Sequence, residues 1–121
     1  MTCTRLYADA DGESHFEDLG IDLALTDYAP PAPPLSLSSF TPATRFGFMN
    51  APAAWSRDWH PTSTRNIFFV LTGEWEVTAS DGESRRFGAG SVLLVEDTTG
   101  KGHSSRVVSE IDSLAAMVQL D

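Results

Sequence analysis

The chain has 121 residues, the size of one domain and enough to bury a core without disulfides or a structural metal. Its 17 acids against 8 bases give a net charge of −9, which argues against nucleic acid or an anionic membrane surface as partner. The single cysteine, Cys3, excludes an intrachain disulfide or a cysteine-based zinc site, and no apolar run approaches the roughly 20 residues of a spanning helix.

The N-terminus, MTCTRLYADADGESHFEDLG, is acidic where a secretion signal is basic and then apolar, so a cytoplasmic protein is expected. Seven of the 17 acids (Asp9, Asp11, Glu13, Glu17, Asp18, Asp22 and Asp27) lie in residues 1–28, and His15 among them is expected to be solvated. Pro30, Pro31, Pro33 and Pro34 lack amide donors and fix φ, so they exclude helix and central strand and favour extended chain. Residues 1–40 therefore read as an acidic, Pro-rich arm packing on the body or on a partner. Phe16, Leu19, Ile21, Leu23 and Leu25 would pin it, and the alternation from Leu19 to Leu25 suits one edge strand.

From residue 41 to 121 the pattern is β throughout, with strands predicted near 44–50, 54–59, 64–72, 74–80, 83–88, 91–96, 103–109 and 113–119. The run Thr64 to Leu71 is rich in β-branched and aromatic residues, and Glu74 to Ala79 alternates with period two. Ser80-Asp81-Gly82-Glu83 is a tight-turn signal between strands. Phe87-Gly88-Ala89-Gly90 breaks the chain again before the short buried run Ser91 to Val95. No segment has sustained helical periodicity. About eight short strands with such punctuation imply an all-β sandwich or barrel.

Inside a small barrel, residues of one parity converge. If Phe68 and Val70 face inward, so do Thr64 and Asn66, with His60 and Thr62 continuing that parity across Pro61. His103 shares its parity with Ser105 and Val107 on another predicted strand. Two histidines, a threonine and an asparagine would then meet in an otherwise apolar pocket. Arg45 shares parity with Gly47 and Met49, which would place it to bind a substrate carboxylate. Arg65 should point outward, and Arg85 and Arg86 should balance Glu74, Glu76 and Glu83 across strands.

The motifs Trp59-His60-Pro61, Val70 to Val77, Asp81 to Gly90 and Glu96 to His103 resemble the small single-domain bacterial cupins, RmlC-like jelly rolls. The first cupin motif sets His-x-His, three or four residues, Glu, six residues, Gly. Anchored on Gly73, its glutamate slot falls on Asn66 and its histidine slots on Thr62 and His60. The second sets Pro-x-Gly-x-x-His; anchored on His103, Gly100 fits and Thr98 holds the proline slot. The resemblance implies a double-stranded β-helix, a homodimer, and a metal site of three histidines and a glutamate for Fe, Mn, Ni or Zn. Here only His60 and His103 remain of that set, with Glu96 and Asp97 the sole nearby carboxylates. Threonine and carboxamide replace the other ligands poorly, so a weakly bound divalent ion is the most that is expected. Acid–base chemistry follows instead: His103 oriented by Asp97, His60 as partner, and Asn66, Thr62, Arg45 and Phe68 around a small-molecule substrate. Isomerase, lyase or cyclase action fits that arrangement. A non-catalytic ligand-binding module, a metal-dependent dioxygenase-type enzyme with a reduced ligand set, and a structural dimer with a vestigial pocket are the alternatives.

Overall fold

The computed structural model describes residues 1–121 and contains twelve strands and no helix. In chain order they are β1 Thr2–Ala8, β2 Ser14–Gly20, β3 Ala24–Thr26, β4 Leu35–Leu37, β5 Arg45–Ala51 and β6 Ser56–His60. They continue as β7 Asn66–Val70, β8 Glu74–Ala79, β9 Ser84–Gly88, β10 Val92–Val95, β11 His103–Val107 and β12 Ser113–Gln119. Each strand predicted after residue 41 meets an observed one, because alternation there reflects one buried and one exposed face. No helix is long and apolar enough to cross a membrane.

Two sheets close on a shared interior. The larger has the order β2-β1-β10-β7-β12-β5, the smaller β6-β11-β8-β9, and β3 pairs only with β4. Between the two large sheets lie Leu6, Phe16, Ala51, Val70, Trp75, Val77, Phe87, Leu93, Val95 and Val107, all buried. Trp75, Val77 and Ala79 alternate with Glu74, Glu76 and Thr78 along β8, the inward–outward signature of a half-buried strand.

The first half of the expected arm is instead part of the body. β1 lies parallel to β10, with Thr4, Arg5 and Leu6 opposite Leu93, Leu94 and Val95, and β2 folds back antiparallel on β1. Leu6 has no exposed surface and Phe16 packs in the core. The acids that suggested a solvated arm sit on the outer face, where Arg5 bridges Glu17 at 2.8 Å and Glu96 at 2.6 Å. The edge strand expected over 19–25 is divided between the end of β2 and β3. Leu23 and Leu25 are exposed and do not pin the segment; the β3–β4 hairpin packs chiefly on itself. The outer face of the large sheet is also apolar at its β5 edge, where Phe46 and Phe48 stand 78% and 66% exposed.

His15 is not merely solvated. Its Nε2 lies 2.6 Å from Asp9 Oδ2 and its Nδ1 2.9 Å from Asp81 Oδ2, clamping the β1–β2 turn to the β8–β9 turn. The bond to Asp9, then that to Asp81, raises the imidazole above its ordinary value near 6.5. The Asp9 carboxyl is lowered in turn, first by His15. A raised histidine contributes stability fully below its unfolded value of about 6.5 and loses it as pH rises through the folded value. A lowered aspartate contributes above its unfolded value near 3.9 and loses it on acidification. The clamp should therefore be strongest between about pH 4 and 6.5. Urea midpoints of the native chain and His15→Gln should differ most in that window, and the difference should shrink as pH rises through the folded value of His15. A difference that is flat, or that grows with pH, would show that the clamp is not ionic.

Candidate functional site

A cavity of about 470 Å³ opens between the sheets, large enough for a small organic molecule. Inward residues of β5, β7, β8, β10 and β12 supply an apolar body that includes Met49, Phe68, Val70, Trp75, Leu93 and Met117. His60, Thr62, Asn66 and His103 line the same space, so the four residues expected to converge do so. The two imidazole centroids are 4.6 Å apart, on neighbouring strands where His103 pairs with His60.

The His103 ring is held from behind. Its Nδ1 donates to Asp97 Oδ2 at 2.6 Å, and Asp97 is completely buried. The other carboxylate oxygen, Oδ1, is sealed and has no hydrogen-bond partner. The polar contact of the Asp97 side chain is thus the imidazole alone. A bond at Nδ1 fixes the tautomer, which leaves His103 Nε2 as the free nitrogen. His60 has the same polarity: its Nδ1 donates to the Asp58 carbonyl at 2.7 Å, leaving Nε2 without a protein partner. Burial pushes the His60 imidazole below its ordinary value, against the Asp58 bond, and the neighbouring His103 adds to the lowering. His60 is therefore neutral at neutral pH and offers a lone pair.

The loop between Asp97 and His103 is set by its neighbours. Ser14 Oγ donates to the Gly102 carbonyl at 2.8 Å and accepts from Ser80 N at 2.7 Å. Lys101 N donates to the Gly12 carbonyl, and Lys101 Nζ pairs with Glu13 at 2.5 Å rather than facing a ligand. Asp97 O accepts from Thr62 N at 3.1 Å, which ties the end of β6 to the same loop. Gly100 and Gly102 have φ of +79° and +75°. A Cβ at Gly100 would strike the Gly12 backbone, and one at Gly102 the His60 carbonyl group. Close approach of main chain to main chain is what brings the two histidine strands together.

Other expected site residues play smaller parts. Asn66 Nδ2 donates to the Thr64 carbonyl at 2.9 Å and to Thr62 Oγ1 at 3.2 Å, and Thr62 Oγ1 donates to the Thr64 carbonyl at 2.7 Å. Their donors are spent on the β6–β7 turn, and Asn66 Oδ1 accepts from Thr64 Oγ1 at 3.5 Å, so both side chains serve first to set that turn. Arg45 is outside the cavity: it has the inward parity, but at the start of β5 it is exposed and its Nε donates to Gln119 Oε1 at 2.8 Å. The expected carboxylate-binding role therefore falls away. Glu96 faces outward between Arg5 and Arg65; burial raises its carboxyl, but hydrogen bonds from those two guanidiniums outweigh it and hold the group low. Arg65 points outward, and Arg85 and Arg86 pair with Glu83, Glu74 and Glu76, as the strand parity requires.

The donor set does not fit a tightly held Fe, Mn, Ni or Zn ion. Two imidazoles meet, but no three His, Cys, Asp or Glu side chains are placed so that they could together hold a metal ion. Asp97 is committed to the far side of the His103 ring, and Glu96 faces away. Without an anionic ligand, two neutral nitrogens hold a divalent ion weakly.

Sequence reasoning missed Arg57, which lines the cavity with His60 despite opposite parity. The cause is a bulge: His103 pairs with His60 and Ser105 with Arg57, so three steps on β6 match two on β11. A single strand's alternation carries no sign of such a shift.

No family model matches the chain, and no curated protein matches it. Among solved structures it is similar to the Schizosaccharomyces pombe Cnp3 cupin domain, at 17% identity and a TM-score of 0.53 over 100% of this chain and 83% of that one. A Cupin 2 conserved barrel domain protein from Salinispora arenicola matches at 17% identity and a TM-score of 0.51, over 84% and 76% of the two chains. A protein of unknown function from Rhizobium leguminosarum matches at 20% and 0.51, over 61% of this chain and 66% of its own, just under two thirds of its length. At these identities the likeness establishes the fold: the chain is a cupin-type double-stranded β-helix, a jelly-roll barrel with an added N-terminal hairpin.

Proposed function

We propose that the barrel binds a small organic molecule and that His103, backed by Asp97, exchanges a proton with it. The observation that carries this reading is the buried Asp97–His103 bond at 2.6 Å behind a ring that lines an apolar cavity. His103 Nε2 takes a proton from the ligand, and the Asp97 carboxylate stabilises the imidazolium that forms. The same nitrogen, now protonated, returns the proton to a second atom of the ligand or to its leaving group, so that the ligand is isomerised, eliminated or cyclised with no net gain of protons by the protein. A water-poor pocket strengthens each of these electrostatic effects.

The test has two stages. A bound ligand must raise the melting temperature by mass action, so a panel of small acids, amides, ketones and phenols is screened by thermal shift. Compounds that bind are then incubated in D₂O and followed by proton NMR for loss of an activated C–H signal. Binding with exchange is the expected result. Binding without exchange in any compound leaves a ligand-holding module, and no binding across the panel refutes the cavity as a site.

A further inference from the structure

The cavity has a charge pattern unlike the rest of the molecule. Seventeen acids are present in the chain, yet no aspartate or glutamate lines the cavity. One permanent cation does: Arg57, on the edge strand β6. Each of the other arginines and the lysine is engaged. Arg5 holds Glu17 and Glu96, Arg65 holds Glu96 and Asp121, Arg85 holds Asp18 and Glu83, Arg86 holds Glu74 and Glu76, Arg106 holds Glu76, and Lys101 holds Glu13. Arg45 is bonded to Gln119. Arg57 alone forms no ion pair and no side-chain hydrogen bond, in a chain with acids in excess.

From this pattern we infer that the cavity's ligand is a carboxylic acid with an apolar body, its carboxylate received by Arg57 at the mouth. The inference rests on the reading of the cavity as a ligand site and adds the chemical class. A planar guanidinium offers paired N–H donors that match a carboxylate in a bidentate fork. The apolar body lies against Met49, Phe68, Val70, Trp75 and Met117. With His60 held neutral, the guanidinium is the feature that selects a charged end over a neutral one. The β6 bulge serves this arrangement by turning Arg57 and His60 toward the same space. Arg57 also borders a shallow polar groove on the outer face with Asp58 and Glu76, but Glu76 is held by Arg106 at 2.8 Å, Asp58 Oδ1 accepts from Trp59 N at 3.1 Å, and neither carboxylate forms an ion pair with Arg57.

The test compares 4-phenylbutanoate with 4-phenylbutanamide, a matched acid and neutral pair, by quenching of tryptophan fluorescence, since Trp55 and Trp75 both line the cavity. The acid should bind the native chain roughly ten-fold more tightly, the effect of one charge-assisted pair. Arg57→Gln should bring the acid to the affinity of the amide, and Arg57→Lys should keep part of the preference. Because Arg57 is exposed and unpaired, the melting temperatures of both variants should match the native one. Equal binding of acid and amide to the native chain, or a preference that survives Arg57→Gln, overturns the assignment and leaves the cavity as a site for neutral ligands. Binding of neither compound overturns the assignment together with the reading beneath it.

Discussion

Asp97→Asn should lower turnover of any substrate found by roughly 10²- to 10⁴-fold, the range that general acid–base groups contribute. Asparagine keeps the shape of the side chain and can still accept from His103 Nδ1. It cannot stabilise the imidazolium formed when Nε2 takes a proton. Loss should therefore fall on kcat, with ligand affinity changed little, because Asp97 stands behind the ring and does not line the cavity. His103→Ala should be at least as damaging. A purely structural role for the pair predicts the opposite: a lowered melting temperature with kcat preserved in the fraction that folds. An Asp97→Asn chain with native kcat would end the acid–base reading.

Gly102→Ala should be among the most destabilising single changes available. Two effects combine at this position. The φ of +75° is unfavourable for any residue with a Cβ, and the Cβ would meet the His60 carbonyl group, which is backbone and cannot rotate away. Left-handed strain alone costs about 1–2 kcal/mol, and the overlap adds to it, so a loss above roughly 3 kcal/mol is expected. Gly82→Ala is the control: φ is +97°, but nothing lies within 4 Å of the added carbon. It should show only the conformational part. Denaturant unfolding of the two variants separates the effects, and equal losses would mean that the packing of β6 against the 98–102 loop is not tight. Because the clash falls on the main chain of His60, a surviving Gly102→Ala chain should also bind ligand more weakly.

How far the site could be read in advance depended on local geometry. Asp97 and His103 lie six residues apart across one turn, so their meeting needed only a glycine-rich reversal, which Gly100 and Gly102 announce. His60 and Asn66 followed from alternation, since each occupies an inward position of its strand. Arg57 was hidden because the bulge shifts parity between it and His60, and a bulge is a property of two strands together. Arg45 failed for a different reason: its parity was right, but the barrel ends where β5 begins. The N-terminal hairpin was the largest misreading. Leu6 is the single large apolar residue of β1 facing the core, and the nearby acids Glu13 and Asp18 find their partners, Lys101 and Arg85, far along the chain. Parallel pairing with a strand some ninety positions later leaves no short-range trace.

The uncovered aromatic edge at Phe46 and Phe48 has a colloidal consequence. At neutral pH the nine-unit excess of negative charge opposes the approach of a second molecule to this oily plate. Near the isoelectric point, about pH 4.5, the repulsion vanishes while the plate is unchanged. Acidification should make the molecules flocculate through this side while their folded interior is still intact, and added salt should raise the pH at which that begins.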